Sequence, residues 1–108
     1  MSVEERIRTV LLQFGDPVEN AVYHGECRRY YTFSCVSAGA DYGDDAPGHE
    51  IYLVTIHFYA PLNENITARV RDTKRALFAA GFSWPETLNN SDDNGRDIIF
   101  ECEYVEGI

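Results

Sequence analysis

One segment limits the folds open to this chain more than any other. Residues 51–60 read IYLVTIHFYA, a run dominated by β-branched and aromatic residues and closed by Pro61. Tyr52, Val54, Ile56 and Phe58 occupy one alternating phase; Ile51, Leu53, Thr55, His57 and Tyr59 occupy the other. Both phases are largely apolar. A strand of this kind is either central in a sheet or has one face covered by another subunit. The chain must therefore build a sheet around it.

The flanking segments supply the rest. Residues 28–37, RRYYTFSCVS, form a second strand, with Tyr31, Phe33 and Cys35 on one face and Thr32 and Ser34 on the other. Residues 97–104, DIIFECEY, form a last strand, with Ile98, Phe100, Cys102 and Tyr104 inward and Asp97, Glu101 and Glu103 outward. A short strand at 21–24, AVYH, is also predicted.

Helical periodicity marks residues 3–14 through Val3, Ile7, Val10, Leu11 and Phe14. Ser2 and Glu5 make a capping-box pattern, and Gly15 before Asp16-Pro17 is the stop. A second helix starts after Asn63 or Asn65 and runs to about Ala80, with Gly81 in the C′ position. Its inward stripe is Ile66, Val70, Thr73, Leu77 and Ala80, and its basic residues are expected toward the later turns, where the helix dipole favours them. Between the second helix and the last strand, Asp93-Asn94-Gly95 is a turn signal.

The expectation is one α+β domain over residues 1–108, in the order α-β-β-α-β. It has a small, mostly antiparallel sheet of three to four strands with both helices packed on one face. A parallel crossover through the second helix stays open. Residues 38–50, AGADYGDDAPGHE, read as a long acidic loop. With 44% hydrophobic and 13% aromatic residues, 108 residues are enough for a core without disulfide or metal.

Charge narrows the function classes. Eighteen Asp and Glu against nine Lys and Arg leave a formal charge of −9, which disfavours nucleic acid as a partner. No apolar run reaches the ~20 residues of a membrane helix, and the charged start MSVEERIRTV is no signal peptide, so a cytoplasmic protein without membrane association is expected. Three widely spaced cysteines, Cys27, Cys35 and Cys102, read as reduced thiols. His24 and Cys27 stand three apart without a second ligand pair, so no metal is expected. The acidic turns at 41–45 and 91–97 match no calcium loop. No nucleophile motif and no phosphate-binding loop occurs. No cofactor and no catalytic residue is assigned, and the chain is expected not to be an enzyme.

Four of the nine basic residues, Arg69, Arg71, Lys74 and Arg75, lie on the second helix, the last three on one face at i, i+3 and i+4. They are either a solvated face or a patch that docks on an acidic neighbour, which could be a second copy of this chain. The acid would come from the 38–50 loop, through Asp41, Asp44 and Asp45 with Tyr42 beside them, and from the outer face of the last strand.

The stretch YGDDAPGHEIYLVTIHFYAP at 42–61, the helix ending RALFAAGFSWPE and the strand DIIFECEY resemble short phage and prophage proteins of the tail terminator, or tail completion, group. The similarity spans nearly the whole chain, most clearly 42–104, and rests on core residues and turns. It implies an α+β subunit of a ring, typically hexameric. Such a ring sits at the head-proximal end of the tail tube, stops its polymerisation and helps join tail to head. The implied partners are the protein itself, the tail tube and head–tail connector proteins. The implied location is the bacterial host cytoplasm during assembly and then the virion tail. The alternative is a small cytoplasmic α+β ligand-binding or enzymatic domain with its site between sheet and helices. An acidic nucleic-acid mimic would fit the charge but needs rows of carboxylates that the turns do not suggest.

Overall fold

The computed structural model describes the backbone of residues 2–40 and 49–107 and the side chains of residues 2–37 and 50–106. The chain opens with α1, Val3–Leu12, capped as its sequence demands: the Glu5 amide donates to Ser2 Oγ at 3.1 Å. The helix ends two residues earlier than its periodicity predicts. Phe14 instead sits in the turn before Gly15, whose φ of +86° belongs to the left-handed region that glycine tolerates, and packs against the core from there.

The first strand is not where local propensity puts it. β1 is Val18–Asn20, while Ala21 has φ of +68° and breaks the extended run that AVYH would have made. Two contacts recruit Val18–Asn20: parallel pairing with β2, and the Arg8 guanidinium of α1, which donates to the Val18 carbonyl at 2.7 Å. β2, Tyr30–Ala40, and β3, His49–Ala60, form an antiparallel pair registered from Tyr30↔Tyr59 to Ala40↔His49. The expected loop at 38–50 is thus shorter, because residues 38–40 and 49–50 are strand.

α2, Thr67–Ala79, has Ile66 at its N-cap, not the expected Asn63 or Asn65, and no side-chain cap bond; Asn65, one residue earlier, accepts from the Thr67 amide on Oδ1 at 3.1 Å. Its C-terminus is a Schellman motif. Phe82 N–H bonds Leu77 C=O and Gly81 N–H bonds Phe78 C=O, each at 3.1 Å, with Gly81 at φ +103° and Phe82 buried with Leu77. The last turn holds no basic residue, contrary to the dipole-favoured placement expected from the sequence. β4, Glu86–Asn89, is a strand that no pattern announces, since all four of its residues are exposed. A turn through Asp93-Asn94, closed by reciprocal Asp92–Gly95 backbone bonds, leads into β5, Arg96–Gly107.

Among the described residues the sheet therefore has five strands in the order β1-β2-β3-β5-β4, antiparallel except for β1 beside β2. β3 is central, one of the two arrangements its apolar phases allow. β4 runs in the same direction as β3 but lies beyond β5, so α2 is a crossover that skips one strand position. The rows Tyr31–Phe58–Ile98, Phe33–Ile56–Phe100 and Cys35–Val54–Cys102 cross β2, β3 and β5 on one face. They meet Val3, Ile7, Val10 and Leu11 of α1 and Leu77 of α2 in a single core. Both helices cover that face.

Inside the core, Thr73 Oγ1 donates to the Arg69 carbonyl at 2.7 Å. A threonine hydroxyl has one proton, so Tyr31 is the donor in its 2.8 Å bond to the same oxygen. That bond pins α2 to the centre of the sheet.

Candidate assembly surfaces

The four α2 cations fall into two groups. Arg69 points into the molecule. Its Nη1 lies 2.6 Å from Asp16 Oδ2, and its guanidinium rests 5.2 Å and 5.3 Å from the ring centres of Phe14 and Phe58. Asp16, with 11% of its side chain exposed, also accepts from Arg29 Nε at 3.0 Å, and Arg29 reaches Glu64 at 2.7 Å. This chain of charges clamps the turn after α1, the start of β2 and the start of α2 together. Burial alone would lower the Arg69 pKa, but the bond to Asp16 and the neighbouring Tyr31 more than offset it, so it titrates above the ordinary arginine value.

Arg71, Lys74 and Arg75 face outward. Among the described residues, Arg71 pairs only with its neighbour Asp72, at 3.3 Å, where both side chains are about half exposed. Lys74 Nζ lies 5.8 Å above the Trp84 ring. Trp84 is 51% exposed and meets Phe78, 57% exposed, edge to face at 5.6 Å. The outer side of α2 is thus a cationic stripe ending in two uncovered aromatic rings. The rings escape a search for charge alone; their signal in the sequence is Phe78 at i+3 and i+4 from Arg75 and Lys74. Asp41, Tyr42, Asp44 and Asp45 lie outside the described residues.

The opposite face of the sheet carries neither helix. Val36, Leu53 and Val105 are exposed on it around half-buried Ile51, and Leu88 is exposed beside half-buried Ile99, across the row of Ser34, Thr55, Glu101 and Glu86. Its charged positions are Glu19, Glu86, Asp97, Glu101 and Glu103; among the described residues of the strands, this face has no Lys or Arg. Glu86 and Glu101 stand directly opposite one another in the β4–β5 register. A face with these apolar positions and acidic strand positions beside them suits a partner that brings both apolar surface and positive charge.

At one end of this face the rings of Tyr23, Tyr30, Tyr59 and His57 stack in series, with centroids 4.4, 4.7 and 5.6 Å apart. His57 Nδ1 and Asp97 Oδ1 are 2.9 Å apart. Beside the stack, Arg28, Tyr30, Tyr59, Asn90, Arg96 and Asp97 help line a cavity of about 350 Å³. Its lining contains no serine, cysteine, histidine or lysine among the described residues. Cys102 sits in the core and half-buried Cys35 packs against it; burial raises both thiol pKa values, that of Cys102 to about 12. Neither is poised as a nucleophile.

No protein-family model matches the chain, and no curated protein matches it either. Among the described residues, no helix is long and apolar enough to cross a membrane.

Proposed function

We propose that this protein is a structural subunit of the phage tail-terminator type. It would assemble as a ring that caps the head-proximal end of a tail tube and offers a docking surface to the head connector. On this reading the fold is a tail-terminator variant, the protein assembles in the bacterial cytoplasm, and it ends up in the virion tail. The observation that carries the proposal is the one-sided sheet. Two helices bury one face, while the other exposes Val36, Leu53, Leu88 and Val105 with carboxylates among them. Surfaces of this kind mark interaction sites, and the acidic residues beside the apolar ones favour a protein partner. The outward cations and rings of α2 supply a second contact surface, and the resemblance described above supplies the biological setting.

Light scattering on a size-exclusion column, repeated over concentration and salt, tests the proposal. A closed assembly of about six subunits is expected, with a mass that stops growing once the ring closes. A monomer at every concentration overturns self-assembly into a ring.

The cavity beside Tyr30 and Tyr59 supports a second reading, a small-ligand domain. A thermal-shift screen with metals and metabolites separates the two: one strongly stabilising compound favours the ligand reading, and none favours the structural one.

A further inference from the structure

The self-assembly reading leaves open which surfaces meet, and the distribution of charge and apolar area answers that. The cationic aromatic stripe of α2 and the acidic apolar sheet face lie on opposite sides of the same sheet, so one copy cannot bring them together. A single two-fold axis cannot engage both pairs either, because each patch faces away from the other across the thickness of the molecule. A head-to-tail contact engages both, and when its rotation closes the result is a ring.

Helix energetics do not explain the stripe. Cations are stabilising near a helix C-terminus, yet the last turn of α2 has none, and Arg71, Lys74 and Arg75 stand earlier. Folding does not explain it either, since among the described residues Arg69 alone of the four is built into the charge network. Nor does the interior use Phe78 and Trp84, which remain more than half exposed. On the sheet side, Glu86 and Glu101 are opposed like charges, an arrangement that costs stability unless a cation is brought between them.

Resting on the self-assembly reading, we infer that the occupant of the open sheet face is the α2 surface of a second copy of this chain. Arg71, Lys74 and Arg75 meet the carboxylates of Glu86, Glu101 and Glu103, and Phe78 and Trp84 cover Val36 and Leu53, which share a register row with Glu103. The acidic acceptor is thereby the outer strand face, which β4 extends through Glu86 beyond the last strand. Each subunit donates its helix to one neighbour and its sheet to the other.

Complementary charge reversal tests the contact. Arg71→Glu with Arg75→Glu gives a protein negative on both surfaces, and Glu101→Lys with Glu103→Lys gives one positive on both. All four positions are on the surface, and unchanged circular-dichroism melts verify folding of each variant. Each variant alone is expected to need at least ~100-fold more protein for half-assembly than wild type. An equimolar mixture is expected to regain wild-type mass, because every contact in an alternating ring is then attractive. If wild type assembles and either variant alone matches it, or if both fail and the mixture stays dissociated, this contact is wrong while self-assembly stands. A wild type that never assembles overturns the contact and the ring reading together.

Discussion

Arg69 and Arg71 are two positions apart on one helix and have different work. Arg69 is wedged between Phe14 and Phe58 and bonded to a nearly buried Asp16. Removing it leaves that carboxylate with Arg29 as its one remaining cation among the described residues and strips two aromatic faces, so Arg69→Ala is expected to cost about 2–4 kcal/mol. Arg71→Ala should change stability by no more than about 0.5 kcal/mol. Paired urea titrations of the two variants measure the difference, and equal losses would show that Arg69 is no framework residue.

Cys102 makes a second residue-scale prediction. Burial raises its thiol pKa from 9.0 to about 12, so the folded state holds a proton that the unfolded chain releases. Its contribution is fully present below pH 9 and is lost as pH rises from there toward 12. Tyr31, also raised by burial, acts in the same direction above 10.0. Stability should therefore fall on the alkaline side, with a shallower slope in Cys102→Ala. Maleimide should label exposed Cys27 in the native protein and reach Cys102 only after unfolding. An equal labelling rate for the two thiols would contradict that burial.

At the level of elements, legibility follows how local the cause is. The Ser2 cap, the Gly81 stop and the inward stripe of α2 depend on contacts within a few residues, and the sequence displays them. Gly81 sits at φ +103°, so Gly81→Ala should cost about 1 kcal/mol, read as a lowered melting temperature. An unchanged melt would mean that the Schellman motif does not govern the end of the helix. β1 and β4 depend on distant partners and are illegible. Val22 and Tyr23 have the right composition for a strand, yet the strand forms at Val18–Asn20, where Tyr31–Phe33 of β2 offer free pairing groups. Glu86–Asn89 has no apolar alternation because β4 is an exposed edge with little to bury. The loop at 38–50 contracts for a similar reason: pairing of β2 with β3 continues to Ala40↔His49 through residues whose composition reads as loop.

Across the whole molecule, the apolar alternation of three long strands and two amphipathic helices was enough to specify an α+β domain with a central 51–60 strand and both helices on one side. Burial drives that outcome, and burial is written in the period of apolar residues. The clustering of Arg71, Lys74 and Arg75 was equally plain, since i, i+3 and i+4 share a helix face whatever the fold. The separation of Arg69 from that group was not plain, because it depends on Asp16, 53 positions away in the chain, arriving beside it. Nor was the five-strand order, which sets Glu86 against Glu101 and leaves an acidic apolar sheet face opposite a cationic helix face. Periodicity records which side of each element is apolar. Which elements lie side by side, and so which charges share a surface, follows from long-range strand pairing that no local pattern encodes.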